Sequence, residues 1–356
     1  MRVDNGVAND ACNTILRTSL SLFMPTVSVI IVNYNGEELL DDCLGSLGRQ
    51  TYQDFEIVFV DNGSHDNSLA RAKDLCPSIR CVKLQHNTGF TGGNNEGFRH
   101  STGKYIVLLN NDTEADPRFL EELVQAAERR PEIGMVAPKI LNFYDREEID
   151  SVGGLVLCPD GIGQGRGRTE KDQGQYDHLD EILVPSGCAA LYRRSMLLDV
   201  GFFDERFFAY CEDTDLGLRG RWAGWEAVSS PRAIVYHKYS GSSGAYSPTK
   251  MKLVERNHYL CALKTLPLRS LLCLPIYSCY RYLLMAYAVV SGKGKGQAGS
   301  KGNLLWALIV GQVQACLGTP GSLLRRCQTK KNKSSRQMYA LLKAHSLDLK
   351  RMILTR

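Results

Sequence analysis

No Cys-x-x-Cys pair occurs in this 356-residue chain, although it holds 12 cysteines scattered through apolar segments. Zinc-ribbon and thioredoxin-like centres are therefore excluded, and buried, reduced thiols are expected. Acidic residues are almost missing after position 240: residues 241–356 hold 19 Lys and Arg against 2 Asp and Glu, whereas residues 1–240 hold 24 against 36. The modest net charge of +5 thus hides an acidic body joined to a basic tail. Unbroken apolar runs are missing as well. The stretch Leu266 to Val290 is interrupted by Arg269, Pro275 and Arg281, so no uncharged span reaches the ~18–20 residues of a membrane-crossing helix, and Leu304 to Leu317 is shorter still. The first 25 residues carry one weak apolar patch, Ser19 to Met24, with acidic Asp4 and Asp10. They lack the basic start and long apolar run of a signal peptide, and a cytosolic compartment is expected.

The tail needs a partner, and an anionic membrane surface or a nucleic acid would match its charge. Its leucine and aromatic content favours the membrane and argues against nucleic acid. Both apolar segments read as helices lying in the interface, with Lys293, Lys295, Arg325, Arg326, Lys330, Lys331 and Lys333 meeting headgroups. The alternative is a helical subdomain packed on the body with a solvated basic surface. A homo-oligomer is compatible with either.

From Thr26 onward, apolar runs of strand length alternate with amphipathic helical patterns. Strands are predicted at 27–32, 55–60, 79–84, 105–109 and 135–138, and helices at 37–47, 64–75 (opening with Ser64 as cap), 91–100 and 117–129 (capped by Asp116). This β-α alternation predicts a doubly wound, mostly parallel α/β sheet flanked by helices. Residues 145–180, rich in Gly and charge, read as a surface excursion before a strand at 183–192. The composition changes at Gly241-Ser242-Ser243-Gly244, which gives an N-terminal extension at 1–25, a catalytic body at 26–243 and a basic, apolar helical region at 244–356.

Open α/β sheets bind ligands at the carboxyl ends of their strands, and there this chain places polar residues repeatedly. Asn33 and Asn35 end the first strand, Asp61 ends the second, and Asn110-Asn111-Asp112 follows the fourth. Asn and Asp are also ordinary turn formers; their coincidence on neighbouring strands is what favours a nucleoside site. Residues 86–97 form a Gly-rich loop with Gly89, Gly92, Gly93 and Asn94, able to bring backbone close to a phosphate or sugar. It follows the third strand and lacks the Gly-x-Gly-x-x-Gly spacing of a dinucleotide fingerprint. Asp112 is the candidate ligand for a hard divalent ion, Mg²⁺ or Mn²⁺, with Asn110 standing where a second carboxylate would complete an Asp-x-Asp pair. Asp213 is the candidate general base because it sits on a different loop from the ion; Glu212 and Asp215 compete with it, and an acidic first helical turn is the bland explanation. His237, after a short strand, could complete the metal site or touch a diphosphate.

The order of these pieces, VSVIIVNYNG, VFVDNGSHDNS, HNTGFTGGNNEGF, YIVLLNNDTE, FFAYCEDTDLGLRGRWAGW and VYHKYSGSS, resembles the family 2 glycosyltransferases of GT-A fold, and their rhamnosyltransferase-like branch most closely. The resemblance spans roughly Thr26 to Ser243. It implies that Asp61 contacts the donor nucleoside, that Asn94 and its glycines line the donor pocket, that Asp112 binds a divalent cation, that Asp213 is the base and that His237 helps hold the diphosphate. Asn33, Asn35, Asn111 and Glu212 join as substrate-binding candidates. The implied activity is inverting transfer of a sugar, rhamnose as the best guess, from a nucleoside-diphosphate donor to a saccharide or lipid-linked saccharide, in cell-envelope polysaccharide synthesis at the inner membrane face. A processive synthase would carry Gln-x-x-Arg-Trp, but Leu218 occupies the Gln position before Arg221-Trp222. A sugar-nucleotide-binding protein without turnover is the third reading.

Overall fold

A computed structural model describes residues 25–238, 247–291 and 301–354. The Ser19 to Met24 patch, the composition change at 241–244, and Lys293 and Lys295 lie outside the described residues.

The first half of the sheet follows the apolar runs. Strands β1 (Val27–Asn33), β2 (Phe55–Asp61), β3 (Arg80–Lys83) and β4 (Tyr105–Leu109) pair in parallel in the order β3-β2-β1-β4. Strands β1, β2 and β4 read as nearly continuous rather than alternating apolar runs because both faces are covered, whereas β3 lies at the edge with Arg80 and Lys83 exposed. Val27, Val29 and Ile31 enter one core and Ile30 the other. A 3₁₀ turn (Glu37–Leu39) leads into α1 (Leu40–Leu47), and α2 (Ser68–Leu75), α3 (Gly89–His100) and α4 (Phe119–Glu128) complete the crossovers. Helix α3 lies close on β1 because it presents glycine there. A Cβ at Gly93 would meet Val32 Cγ1 at 2.6 Å, and one at Gly97 would meet Ile30 Cγ2 at 2.5 Å.

Beyond β4 the sheet is mixed. The short β5 (Thr113–Ala115) follows the Asn110–Asp112 turn, and β6 (Ile133–Asn142) runs well past the expected Pro138. The 145–180 stretch is more than an excursion: β7 (Ile149–Val152) extends the main sheet antiparallel to β6, while β8 (Leu155–Leu157) and β9 (Gly163–Gly165) form a hairpin with Val152, Val156 and Leu157 buried. The strand expected at 183–192 is confined to β10 (Ala189–Arg193), inserted antiparallel between β4 and β6. Leu183 and Val184 instead pack beneath a helix, where a Cβ at Gly217 would lie 2.3 Å from Val184 Cγ1. After α5 (Arg194–Val200) and α6 (Glu212–Ala223), β11 (Glu226–His237) pairs in parallel with β6 and antiparallel with β5, its register shifting between Ser230 and Ile234 around Pro231, where the ladder loses a donor.

Two helix starts differ from the expected capping. Helix α2 opens at Ser68, not Ser64, because Asp66 Oδ1 accepts from both the Ser68 N–H and its hydroxyl. Asp116 caps a turn earlier than the α4 helix, accepting from Arg118 N at 3.0 Å.

The C-terminal region is helical. Ser247 caps α7 (Pro248–Thr265), which has proline in its first turn. The long helices α8 (Leu268–Ser291) and α9 (Lys301–Gln328) continue through Pro275 and Pro320, so each is longer than the interrupted sequence suggested, and both are long and apolar enough to cross a membrane. Helix α9 lies along α7, where Cβ atoms at Gly311 and Gly318 would meet Glu255 and Leu260 at 2.9 Å. Helices α10 (Ser335–Ala344) and α11 (Leu349–Leu354) close the chain. All eleven cysteines among the described residues are free.

Candidate active site

Strand register lines up the first candidates. Asn33 and Asp61 are partners across β1 and β2, both buried. Asp61 Oδ1 accepts from Ser64 N at 3.0 Å, closing the turn after β2. Asn35 adopts φ 49°, tolerable for Asn, and its side chain accepts from His65 N at 2.8 Å. Asn111 Nδ2 donates to Asn33 Oδ1 at 2.7 Å, which ties the β4 turn to β1.

The Gly-rich loop is held mainly by its packing. Gly89 has φ 75°, and a Cβ there would lie 2.4 Å from Phe208 O. Gly92 is closed off by Thr88 and Gly93 by Val32. The buried Asn94 amide donates to Phe90 O at 2.8 Å, within its own helix. Sequence reasoning passed over Asn62, which fastens the loop: its amide donates to Gly89 O and its oxygen accepts from Thr88 N and Oγ1.

Asp112 and His237 come together at the β5–β11 edge, where Thr113 and His237 are register partners. His237 Nε2 stands 3.4 Å from Asp112 Oδ1, and its Nδ1 lies 2.7 Å from Asp150 Oδ2 on β7. Burial alone disfavours a charged imidazole, but Cys188 and the Asp112 and Asp150 carboxylates outweigh it and push the His237 pKa well above its ordinary value. A carboxylate oxygen and an imidazole nitrogen side by side are a donor pair that fits a divalent ion. Among the described residues no cluster of three or more His, Cys, Asp or Glu could hold a metal unaided.

The base candidates separate sharply. Asp215 is fully buried and bound to Lys264 Nζ at 2.9 Å and Arg219 Nε at 2.8 Å, which makes it a structural anion. Asp213 has no such cation: Oδ2 accepts from Gly187 N at 2.9 Å and Oδ1 from Thr214 N at 2.6 Å. Burial raises its pKa, and these N–H donors only partly oppose the rise. Glu212 is buried with Oε2 lacking a hydrogen-bond partner, and burial, followed by the neighbouring Asp213 and Asp215 charges, raises its pKa well above the usual carboxylate range.

One short segment joins the two clusters. Gly187 N binds Asp213, the adjacent Cys188 accepts from Asn110 N at 2.9 Å through its carbonyl, and the Cys188 side chain lies against His237. Hydrogen bonds therefore run from Asn33 through the Asn110–Asp112 turn to Gly187 and Asp213. The stretch before Asp213 is strained, with Phe208, Tyr210 and Cys211 at φ 63°, 73° and 68°. Asn257 of α7 secures it, its buried amide donating to the carbonyls of Phe207, Ala209 and Tyr210. Sequence reading missed Asp150, Gly187 and Asn257. A polar run, Glu255-Arg256-Asn257-His258, set between Leu253-Val254 and Tyr259-Leu260 was the available signal for Asn257.

Residues 28–201 match the sequence profile of glycosyl transferase family 2. The chain belongs to that family. This transferase sits with the rhamnosyltransferase-like branch: it is 28% identical over 260 residues, 65% of its length and 82% of the relative's, to an N-acetylglucosaminyl-diphospho-decaprenol L-rhamnosyltransferase of Mycobacterium tuberculosis. It is 31% identical over 62% of its length to the O-antigen biosynthesis protein RfbC of Myxococcus xanthus, of which it spans 18%. In fold, the transferase is similar to S. aureus TarS 1–349 in complex with UDP (TM-score 0.52, 16% identity, 86% of this chain and 93% of that one). It is also similar to GalNAc-T7 with UDP, GalNAc and Mn²⁺ (TM-score 0.55, 16% identity, 68% and 48%). The architecture is GT-A, and the chain is a nucleotide-sugar-dependent glycosyltransferase.

Proposed function

We propose that the transferase inverts the anomeric centre, moving a sugar, best guessed as rhamnose, onto a hydroxyl of a lipid-linked saccharide at a membrane surface. The single observation that carries this reading is the Gly187–Cys188 segment, which fastens a charge-poor carboxylate, Asp213, beside the Asp112–His237 pair. Inversion needs a base on one face of the sugar and a charge-stabilised leaving group on the other.

In this mechanism the β1 and β2 ends, with Asn33, Asn35 and Asp61, bind the nucleoside, while the α3 loop with Gly89, Gly92, Gly93 and Asn94 walls the donor. Asn111 holds the β4 turn in register through Asn33. Asp112 and His237 would hold a divalent ion, Mg²⁺ or Mn²⁺, whose charge would stabilise the departing diphosphate. Asp213 removes the proton from the acceptor hydroxyl as that oxygen bonds to the anomeric carbon and the carbon–diphosphate oxygen bond breaks. Glu212, adjacent in sequence and with its pKa raised by burial, is available to hydrogen-bond the acceptor.

The membrane part rests on where apolar surface is exposed. Of the large exposed hydrophobics among the described residues, most lie on α8 and α9, including Leu272, Ile276, Leu283, Trp306, Ile309 and Leu317. The inner face of α8 is fixed to the body: Arg281 pairs with Asp160 at 2.6 Å and Glu255 at 3.0 Å, all three buried. A helix pinned along one side and apolar along the other suits lying in the interface on the cytoplasmic side better than crossing it. The lipid-carried acceptor in the mycobacterial relative's name agrees with this placement.

The test is Asp213→Asn with a panel of nucleoside-diphosphate sugars and a polyprenyl-diphosphate saccharide. Transfer is expected to fall by about 10²–10⁴-fold while donor binding persists; turnover at the wild-type rate refutes the assignment.

A further inference from the structure

We propose that Asp150 is a positioning residue for the cation site: it fixes the tautomer and orientation of His237 so that Nε2, beside Asp112, is the ligating nitrogen. The inference rests on the metal reading above and goes beyond it, because Asp150 lies in a segment with no motif of its own.

The geometry is specific. Asp150 is carried by β7, which pairs with β6, and β6 pairs with β11, the strand that ends in His237. Two strands of separation therefore bring a carboxylate to the far side of the imidazole. Asp150 Oδ2 stands 2.7 Å from Nδ1, a full hydrogen bond, whereas Asp112 Oδ1 stands 3.4 Å from Nε2, outside the usual N–H···O range. With the ring proton on Nδ1 donated to Asp150, the Nε2 lone pair faces Asp112. A carboxylate behind a ligating histidine makes the ring more basic and prevents its rotation.

The support behind Asp150 is rigid. The Asp150 carbonyl lies 2.3 Å from where a Gly165 Cβ would be, so the β8–β9 hairpin seats directly on β7. Arg168 Nη2 stands 3.6 Å from the other carboxylate oxygen, Oδ1, which leaves Oδ2 for the histidine. If His237 merely filled space between two acids, neither the seating nor the unequal distances would be required.

Two readouts test this on the full chain. Mn²⁺ with a nucleoside diphosphate is titrated into wild type, Asp150→Ala and Asp150→Asn against a protein-free control, with bound Mn²⁺ followed by electron paramagnetic resonance. Separately, ¹⁵N-histidine spectra of the Mg²⁺-loaded proteins report the His237 tautomer. The expected result is about 10–100-fold weaker Mn²⁺ binding in Asp150→Ala with loss of the single Nδ1–H form. Asp150→Asn, whose amide oxygen still accepts, should fall between the two. If Asp150→Ala does not fold, Asp150→Asn alone decides. Wild-type affinity and an unchanged tautomer in the folded variants overturn the role of Asp150 while leaving the metal reading intact; absence of Mn²⁺ binding by wild type overturns both.

Discussion

The two sides of the site treat negative charge in opposite ways. On the β11 side, Asp112 and Asp150 flank the His237 imidazole, one carboxylate at each ring nitrogen. On the α6 side, Glu212 is buried and Asp213 half-buried, Asp213 bonds backbone amides and the Thr214 hydroxyl, and both pKa values rise. Asp215, two residues further on, is fully buried but has Lys264 and Arg219. In the proposed mechanism helix geometry alone does not select the base; the cations beside each carboxylate do, here Lys264 of α7 and Arg219 of α6 itself. On that proposal the side meant for a metal diphosphate concentrates polar partners, and the side meant to accept a proton has few.

The Asp213→Asn loss of transfer sets the largest effect expected on the base side. The contrast with Asp215 is broken next by Lys264→Met. Lys264 Nζ bridges Asp215 and Asp204 at 2.9 and 3.2 Å with almost no exposure; removing it leaves Asp215 to Arg219 and Asp204 to Arg206 and Arg325, at a cost of about 1.5–3 kcal/mol, that of a lost hydrogen bond to a charged group, read as a shift in urea midpoint. The pH dependence has a definite sign. Burial would raise the Asp204 pKa, but the Arg206 hydrogen bond and the Lys264, Arg206 and Arg325 charges outweigh it and hold it well below the ordinary carboxylate range. A depressed carboxylate contributes stability above its unfolded pKa and loses it as the pH falls through the folded one. The penalty of Lys264→Met should therefore shrink in acid; a constant penalty would show that Lys264 acts by packing alone.

How much of this could be read beforehand follows from the range of the interactions. The parallel strands β1, β2 and β4 were legible because each is a nearly continuous apolar run followed by a helical pattern, and the short β3 because it falls between two such patterns. The antiparallel insertion of β10 was not, since pairing with β4 and β6 depends on contacts far along the chain. Asp61, Asp112, Asp213 and His237 stood out as polar residues at strand ends and a helix start. Asp150 did not, because its partner is 87 positions away and its own segment looks like a loop. The rivalry among Glu212, Asp213 and Asp215 could not be settled either: Lys264, which removes Asp215, lies in a helix that composition assigned to the tail.

The body and the tail also differ in what they leave uncovered, and a smaller effect probes that difference. Leu272, Ile276 and Leu283 on α8 are among the most exposed large side chains, while Arg281 on the same helix points into the body. Replacing one of these apolar residues with Glu should weaken flotation on vesicles containing anionic lipid by the roughly 1.5–3 kcal/mol of one buried aliphatic side chain, about 10- to 100-fold in partition. The same change at Leu198, exposed on α5, should have no such effect. Equal losses at both positions would remove the distinction between a lipid-facing helix and an ordinary surface.

The smallest effect sharpens the comparison inside α6. Glu212 keeps its proton in the folded chain to higher pH than a free carboxylate does, so in that interval the native state binds a proton that the unfolded state releases. Its contribution to stability is complete below the unfolded pKa and is lost as the pH rises through the raised native one. Glu212→Gln removes that loss. The variant should match wild type in acid and melt higher at about pH 8. Asp213→Asn should act in the same direction, whereas Asp215→Asn should destabilise because it abandons Lys264 and Arg219 without their anion. Three neutralising substitutions within four residues of one helix would then carry opposite signs, and calorimetry at two pH values separates them. A uniform sign across the three would mean that the helix terminus, rather than each carboxylate's own surroundings, sets their energies.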